Sequence, residues 1–175
     1  IARIPGFFSV LFNKMDWQLN AAHRDVYLTF DDGPTPKVTD WVLERLRDYD
    51  AQGTFFCLGR NVEAHPGIYR RIIDQGHAVG NHTYSHLKGF SSSVSRYLED
   101  VGIARKLIDS KLFRPPYGRI LGKQSKAIRA LDYRIIMWSV LSVDYDRKLS
   151  GDRVARNVIR NVRPGSIVVF HDSDK

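Results

Sequence analysis

The chain holds a single cysteine, Cys57, in 175 residues, so no disulfide closes within it and no multi-cysteine zinc site can form. Cys57 lies in the apolar run Thr54-Phe55-Phe56-Cys57-Leu58, the setting of a buried and inert thiol. No apolar run approaches the roughly 20 residues that a membrane-spanning helix needs. The apolar start over residues 4–12 is too short, and reads as a packing segment or as the remnant of a longer amino-terminal region. Glycine-rich phosphate loops of the Gly-x-Gly-x-x-Gly or Walker type are missing, which leaves nucleotide binding without support. There is no low-complexity linker and no internal boundary, so a single domain is expected. Blocks of like charge are missing too. Twenty-seven Lys and Arg against nineteen Asp and Glu give a net charge of +8, a balance that favours anionic partners such as nucleic acid, a membrane surface or an acidic cell-wall polymer. The basic residues (Arg45, Arg47, Arg70, Arg71, Arg105, Lys106, Arg153, Arg156) are scattered, however, as on solvated helix faces, and no nucleic-acid partner is expected.

What is present is an alternation of strand-like and helix-like segments. Apolar runs predict strands over 26–30, 53–58, 77–80, 112–113, 133–140 and 166–170. Between them, apolar residues at helical spacing predict helices over 38–49, 66–75, 91–110, 123–131 and 152–162. Alternation at this pitch implies parallel strands with helical crossovers. The strands are apolar throughout, as when both faces are covered. An open doubly wound sheet and a closed barrel both fit.

Polar residues of reactive type follow five of these strands. They are Asp31 and Asp32, then His82 and His86, then Arg114, then Asp144, then His171 and Asp172. In βα barrels and open α/β sheets the carboxyl edge of the strands is where sites are built. Taken alone, Asp31-Asp32-Gly33-Pro34 reads as a turn, and His82 and His86 as surface histidines. Together they supply one carboxylate and two imidazoles, a donor set suited to a divalent transition metal with an open position for water. The second carboxylate is then free to act as a base.

The ordered set resembles the polysaccharide deacetylases, the nodulation-type chitooligosaccharide deacetylase domain also called carbohydrate esterase family four. Thr29-Phe30-Asp31-Asp32-Gly33-Pro34 is similar to the first motif of that family, and Gly80-Asn81-His82-Thr83-Tyr84-Ser85-His86 to the second. Phe113-Arg114-Pro115-Pro116-Tyr117-Gly118 is similar to the third, and the stretch from Gly165 to Asp172 to the fifth. The fourth departs: Asp144-Tyr145 stands where the family has Asp-Trp, and Leu141 where a second Asp is frequent.

The resemblance implies a distorted, incomplete (β/α) barrel with parallel strands. It implies an amino-terminal extension over 1–24 packing on a catalytic domain over 25–175, and carboxyl-terminal closing elements absent from this chain. It implies a metal held by Asp32, His82 and His86, zinc first, with cobalt or nickel as substitutes. Asp31 becomes the catalytic base, oriented by Arg114, and His171 the catalytic acid, supported by Asp144, with Asp146 as a substitute for Asp144. Tyr117, Tyr145 and Val169 line the substrate and oxyanion pocket, with the Tyr117 amide on the oxyanion. Asp172 reads equally as a loop cap and as a partner behind the site. Asn81 reads as a turn residue, and His23, His65 and His77 carry no role. The implied activity is removal of acetyl groups, N-acetyl first, from an acetylated polysaccharide or oligosaccharide such as chitooligosaccharide or peptidoglycan. The resemblance favours the cell envelope or the exterior, with the cytoplasm as the alternative, and it specifies no oligomeric state. A non-catalytic glycan-binding module and a metal-dependent amidase of a small cyclic amide are the competing readings on the same fold.

Overall fold

The computed structural model describes residues 14–22 and 24–174. The apolar start over 4–12 and His23 lie outside the described residues. Among the described residues, no helix is long and apolar enough to cross a membrane.

Seven parallel strands are described: β1 (Tyr27–Asp31), β2 (Gly53–Cys57), β3 (Ala78–Asn81), β4 (Leu112–Phe113), β5 (Arg134–Ile135), β6 (Val140–Leu141) and β7 (Ile167–His171). They pair in the order β5-β4-β3-β2-β1-β7-β6. The helices are α1 (Val38–Asp48), α2 (Gly59–Ala64), α3 (Pro66–Asp74), α4 (Val94–Arg105), α5 (Gly122–Ala130) and α6 (Gly151–Ile159). The sheet curls into a distorted (β/α) barrel, and successive side chains along a strand alternate between the helical layer and the interior. Phe30 stacks on Phe55 at 4.9 Å and on Phe170 at 5.9 Å, and these rings pack with Val42, Leu43 and Leu46 of α1. Burying one such ring stabilises the fold by about 1.5–3 kcal/mol. A second layer joins Tyr97 and Val101 of α4 and Ile128 of α5 to Phe113 and Ile135. The inward residues Phe56, Ile136 and Ile167 fill the barrel with Tyr27, Leu112 and Trp138.

The stretch expected as one strand over 133–140 divides. Its start, β5, pairs with β4, and its end, β6, pairs with β7 at the opposite edge of the sheet. Residues 136–139 therefore span the two edges, where no continuous ladder satisfies their backbone. Asp16 takes one side: its N–H donates to Ile135 O at 2.9 Å, and its carbonyl accepts from Met137 N at 2.7 Å. The carbonyls of Ile136 and Met137 accept instead from Arg114, at 3.1 Å from Nε and 2.9 Å from Nη2.

Two helical expectations also shift. The helix expected over 91–110 begins at Val94, because the Ser93 side chain accepts from Arg96 N and caps it, and it ends at Arg105. Helix α2 has no cap side chain and was not foreseen. Its leading N–H groups are satisfied from elsewhere: Gly59 N donates to Thr83 O and Arg60 N to Tyr84 O.

Candidate active site

Every strand-end residue named from the sequence lies on the carboxyl edge of the barrel. Asp31 ends β1, and Asp32 follows it with φ of +79°. Asn81 ends β3 and carries the ladder into the next loop, since His82 N donates to Cys57 O at 2.9 Å. Asn81 is a turn residue, as expected, and also a fully buried brace. Its Nδ2 donates to Val101 O and to Tyr133 Oη, and its Oδ1 accepts from Thr83 N. His82 and His86 sit on a loop, not a helix, and the loop is held by Asp100 of α4. That carboxylate accepts from Tyr84 N at 2.8 Å, Ser85 N at 3.1 Å and Ser85 Oγ at 2.7 Å. Nothing local in the sequence marks Asp100 for this task, because its partners lie 15 and 16 residues away in the chain.

Asp32, His82 and His86 converge. Asp32 Oδ1 lies 3.4 Å from His82 Nε2 and 3.1 Å from His86 Nε2. The three ligand atoms lie within 4.8 Å of one another. His82 Nδ1 stands 2.7 Å from the Arg114 carbonyl, which can only accept, so Nδ1 carries the hydrogen. Nε2 then presents a lone pair toward a carboxylate oxygen. Two lone pairs facing each other in a buried site call for a metal ion or a proton between them, and two imidazoles with one carboxylate fit a divalent metal. Where protons fill that place, burial still works to raise the Asp32 carboxyl, but hydrogen bonds from the protonated His82 and His86 and their charges prevail and hold it well below the usual carboxylate range.

Beside this cluster stand two paired ionisable groups. Arg114 is fully buried over the Phe56 ring, 4.1 Å from its centroid, and Nη1 donates to both Asp31 Oδ1 and Thr29 Oγ1 at 2.7 Å. On β7, Asp144 grips His171 twice, accepting from its backbone N–H and from Nδ1, each at 2.7 Å. Burial pulls the His171 imidazole down, but the Asp144 hydrogen bond and the charges of Asp31, Asp144 and Asp32 outweigh it, and the imidazole is raised above its ordinary value. Asp146 does not share this contact; its Oδ1 accepts from Lys148 N within the loop. The ring of Tyr145 meets His171 edge-on at 5.4 Å, so an aromatic side chain walls the site despite the departure from Asp-Trp.

Asp172 lies behind Asp31 and is fully buried. Its Oδ1 accepts from Gly33 N at 3.0 Å, its Oδ2 from Thr39 Oγ1 at 2.7 Å, and its own N–H donates to Asp31 O at 3.1 Å. Burial pushes this carboxyl up to about 7, against those donors. A Cβ on Gly33 would fall 1.9 Å from Asp172 Oδ2, so only glycine fits there. His65 caps α2 and His77 Nδ1 accepts from Gly53 N, both remote from the cluster.

An open groove of about 840 Å³ runs over the site, lined among others by Asp31, His86, Tyr117, Tyr145, Val169 and His171. Its wall also includes Leu141 and Trp138, and it extends past Lys88, Phe90 and Arg119. These last three were not foreseen, since exposed cations and a lone Phe have no pattern of their own. Tyr117, at φ of +60°, reaches His86 Nδ1 with its hydroxyl at 3.1 Å.

Residues 18–136 match the family model described as "Polysaccharide deacetylase". The chain belongs to this family. It is 37% identical over 155 residues to a peptidoglycan-N-acetylglucosamine deacetylase of Bacillus cereus, covering 85% of this chain and 56% of that protein. The chain thus spans little more than half the length of that relative. It is 33% identical over 154 residues to a chitooligosaccharide deacetylase of Azorhizobium caulinodans, covering 84% of this chain and 73% of the relative. Among solved structures, a peptidoglycan N-acetylglucosamine deacetylase in complex with 4-naphthalen-1-yl-N-oxidanyl-benzamide matches at a TM-score of 0.84 and 35% identity, covering 94% of this chain and 79% of the other. The family is metal-dependent, and Asp32, His82 and His86 form a group that could hold a metal ion.

Proposed function

We propose that the protein hydrolyses N-acetyl groups of an acetylated cell-wall glycan, of the peptidoglycan or chitooligosaccharide class, to acetate and a free amine. The observation that carries the reading is the pair of oppositely supported groups at one groove: Asp31 backed by the Arg114 cation, and His171 backed by the Asp144 anion. Asp32, His82 and His86 would hold zinc, cobalt or nickel, which when bound supplies Lewis acidity for the acetyl carbonyl and the attacking water.

The chain's own residues do the rest. Arg114 engages Asp31 Oδ1, leaving Oδ2 to take the proton from the water as its oxygen attacks the carbonyl carbon. The Tyr117 amide, on its φ-positive backbone, donates to the oxyanion that develops. An amine leaves poorly unless protonated. His171 Nδ1–H is committed to Asp144, so Nε2 delivers its proton to the amide nitrogen as the carbon–nitrogen bond breaks. The raised imidazole keeps that proton available near neutral pH. Tyr145 and Val169 shape the wall against which the acetyl group lies. The open groove, with half-exposed Tyr117 and Tyr145, suits a chain of sugars better than a small cyclic amide.

The test is acetate release from chitotetraose and from peptidoglycan fragments, with zinc and with chelator. Release that chelator abolishes, and that Asp31→Asn lowers by about 10²–10⁴ with the metal still bound, is the expected result. Binding of both glycans with no acetate from either would favour a glycan-binding module instead.

A further inference from the structure

The groove continues beyond the reacting centre into a wall that the proposed chemistry does not use. It is formed by the stretch after His86, with Lys88 and Phe90, and by the stretch after Tyr117, with Arg119. Both cations are exposed, and among the described residues neither is ion-paired to a carboxylate. The one carboxylate that lines the groove, Asp31, is committed to Arg114. What faces the ligand on this side is therefore positive.

The two cations are held in place. Lys88 Nζ lies 5.4 Å from the centroid of the Tyr117 ring, and the Arg119 guanidinium carbon lies 5.4 Å from the centroid of the Phe90 ring. Tyr117 in turn touches His86, its ring centroid 4.5 Å from the imidazole, so the Lys88 ammonium stands one aromatic ring beyond the metal cluster. Beneath them, fully buried Gln124 ties the two stretches together. Its Nε2 donates to Gly89 O at 2.9 Å and Ser92 O at 3.1 Å, and its Oε1 accepts from Leu121 N at 3.0 Å. Gly89 allows the close approach, since a Cβ there would sit 3.0 Å from Arg119 O. Ser92 Oγ also donates to Lys88 O at 2.9 Å. A backbone braced in this way has little flexibility left to lose on binding.

Resting on the deacetylase reading, we infer that Lys88 and Arg119 form a subsite for a carboxylate carried by a sugar adjacent to the one being deacetylated, so that the enzyme selects an acidic glycan over a neutral one. The chemistry favours this occupant. A neutral glycan needs only the faces of Phe90, Tyr117 and Tyr145 and gains nothing from two cations. A guanidinium and an ammonium lining one groove suit a carboxylate, the guanidinium by its fork and the ammonium by its charge. The net charge of +8 favours approach of an anionic polymer.

The test compares a peptide-free glycan of alternating N-acetylglucosamine and lactyl-ether sugar, carboxylate free, with the same glycan converted to its amide. Dissociation constants are measured by calorimetry with chelator present, so that no turnover intervenes. Acetate release with zinc, run in parallel, reports separately on the deacetylase reading. The wild type is expected to bind the acid about tenfold more tightly than the amide. That ratio should shrink between about 20 and about 300 mM salt as the charges are screened. In Lys88→Met/Arg119→Gln it should fall to within about twofold of unity, and each single variant should lie between. Thermal melts establish that the variants are folded. Equal affinity of the wild type for acid and amide overturns the inference, as does a preference that survives in the double variant. A short single-stranded DNA bound more tightly than the acidic glycan overturns it as well.

Discussion

Replacing Arg114 by methionine tests how the barrel is closed. The substitution keeps apolar bulk over the Phe56 ring and removes every donor of the guanidinium. Asp31, buried at the end of β1, loses its counter-charge, and stranding one partner of a buried ion pair costs about 3–5 kcal/mol. The carbonyls of Ile136 and Met137 lose the donors that replace a strand partner, at about 1–3 kcal/mol each when left dry. The sum approaches the whole stability of an ordinary domain, about 5–15 kcal/mol. With each kcal/mol worth about 2–4 °C in a chain of this size, the melting temperature should fall by 10 °C or more, on the order of 10–40 °C. The assay is a calorimetric melt at pH 7 in chelator, so that metal binding does not mask the effect. Asp31→Asn/Arg114→Met should recover part of the loss, because the stranded charge is gone while the orphaned carbonyls remain. A melt of Arg114→Met within about 3 °C of the wild type would refute this account of the closure. Failure of the double variant to recover any stability would refute the charge contribution.

Two further predictions concern the proposed roles and their pH dependence. His82→Ala should lose stoichiometric metal by elemental analysis, whereas His171→Ala should keep it and lose more activity on an N-acetyl glycan than on an aryl acetate, since an aryloxide departs without a proton and an amine does not; equal losses on both substrates would sink the acid assignment. Asp172, pushed up to about 7 by burial from the ordinary carboxyl value of 3.8, binds more protons folded than unfolded between those limits, so folding stability should decline as pH rises through that window. At about 1.4 kcal/mol per pH unit the decline reaches about 4 kcal/mol at most. Urea titrations at pH 4.5 and 7.5 should show it in the wild type and show a clearly smaller decline in Asp172→Asn, where the raised His171 imidazole still contributes.

The parts of the fold legible in the sequence are those with a local signature. Apolar runs placed β1, β2, β4 and β7 to within about a residue or two, a usual margin for boundaries. The polar types behind them fixed which edge carries the site. What escaped is what depends on distant partners. The apolar pattern over 133–140 has no feature that reveals a change of partner strand, because both halves are extended and equally apolar. Helix α2 starts on the carbonyls of Thr83 and Tyr84 instead of a capping side chain, so the usual start signal is absent. Asp100 and Gln124 are ordinary helix residues by pattern, and their tasks exist only once the chain has folded.

The five positive-φ residues around the groove show what that hidden support is for. Asp32, Thr83, His86, Tyr117 and Val143 all adopt the left-handed region, where no glycine relieves them. Each such residue costs on the order of 1–3 kcal/mol. They lie just past β1, β3, β4 and β6, where the chain must turn sharply for a side chain or amide to point back over the barrel mouth. The strain persists because buried and half-buried polar groups hold the turns from beneath: Asn61 Nδ2 on Asp32 O at 2.7 Å, Asn81 on Thr83, and Ser142 Oγ on Asp144 N at 3.3 Å. Arg114 belongs to the same scaffold. It carries the counter-charge of the proposed base and also replaces the missing ladder of the closing strand, so the sharpness of the site and the closure of the barrel rest on one side chain.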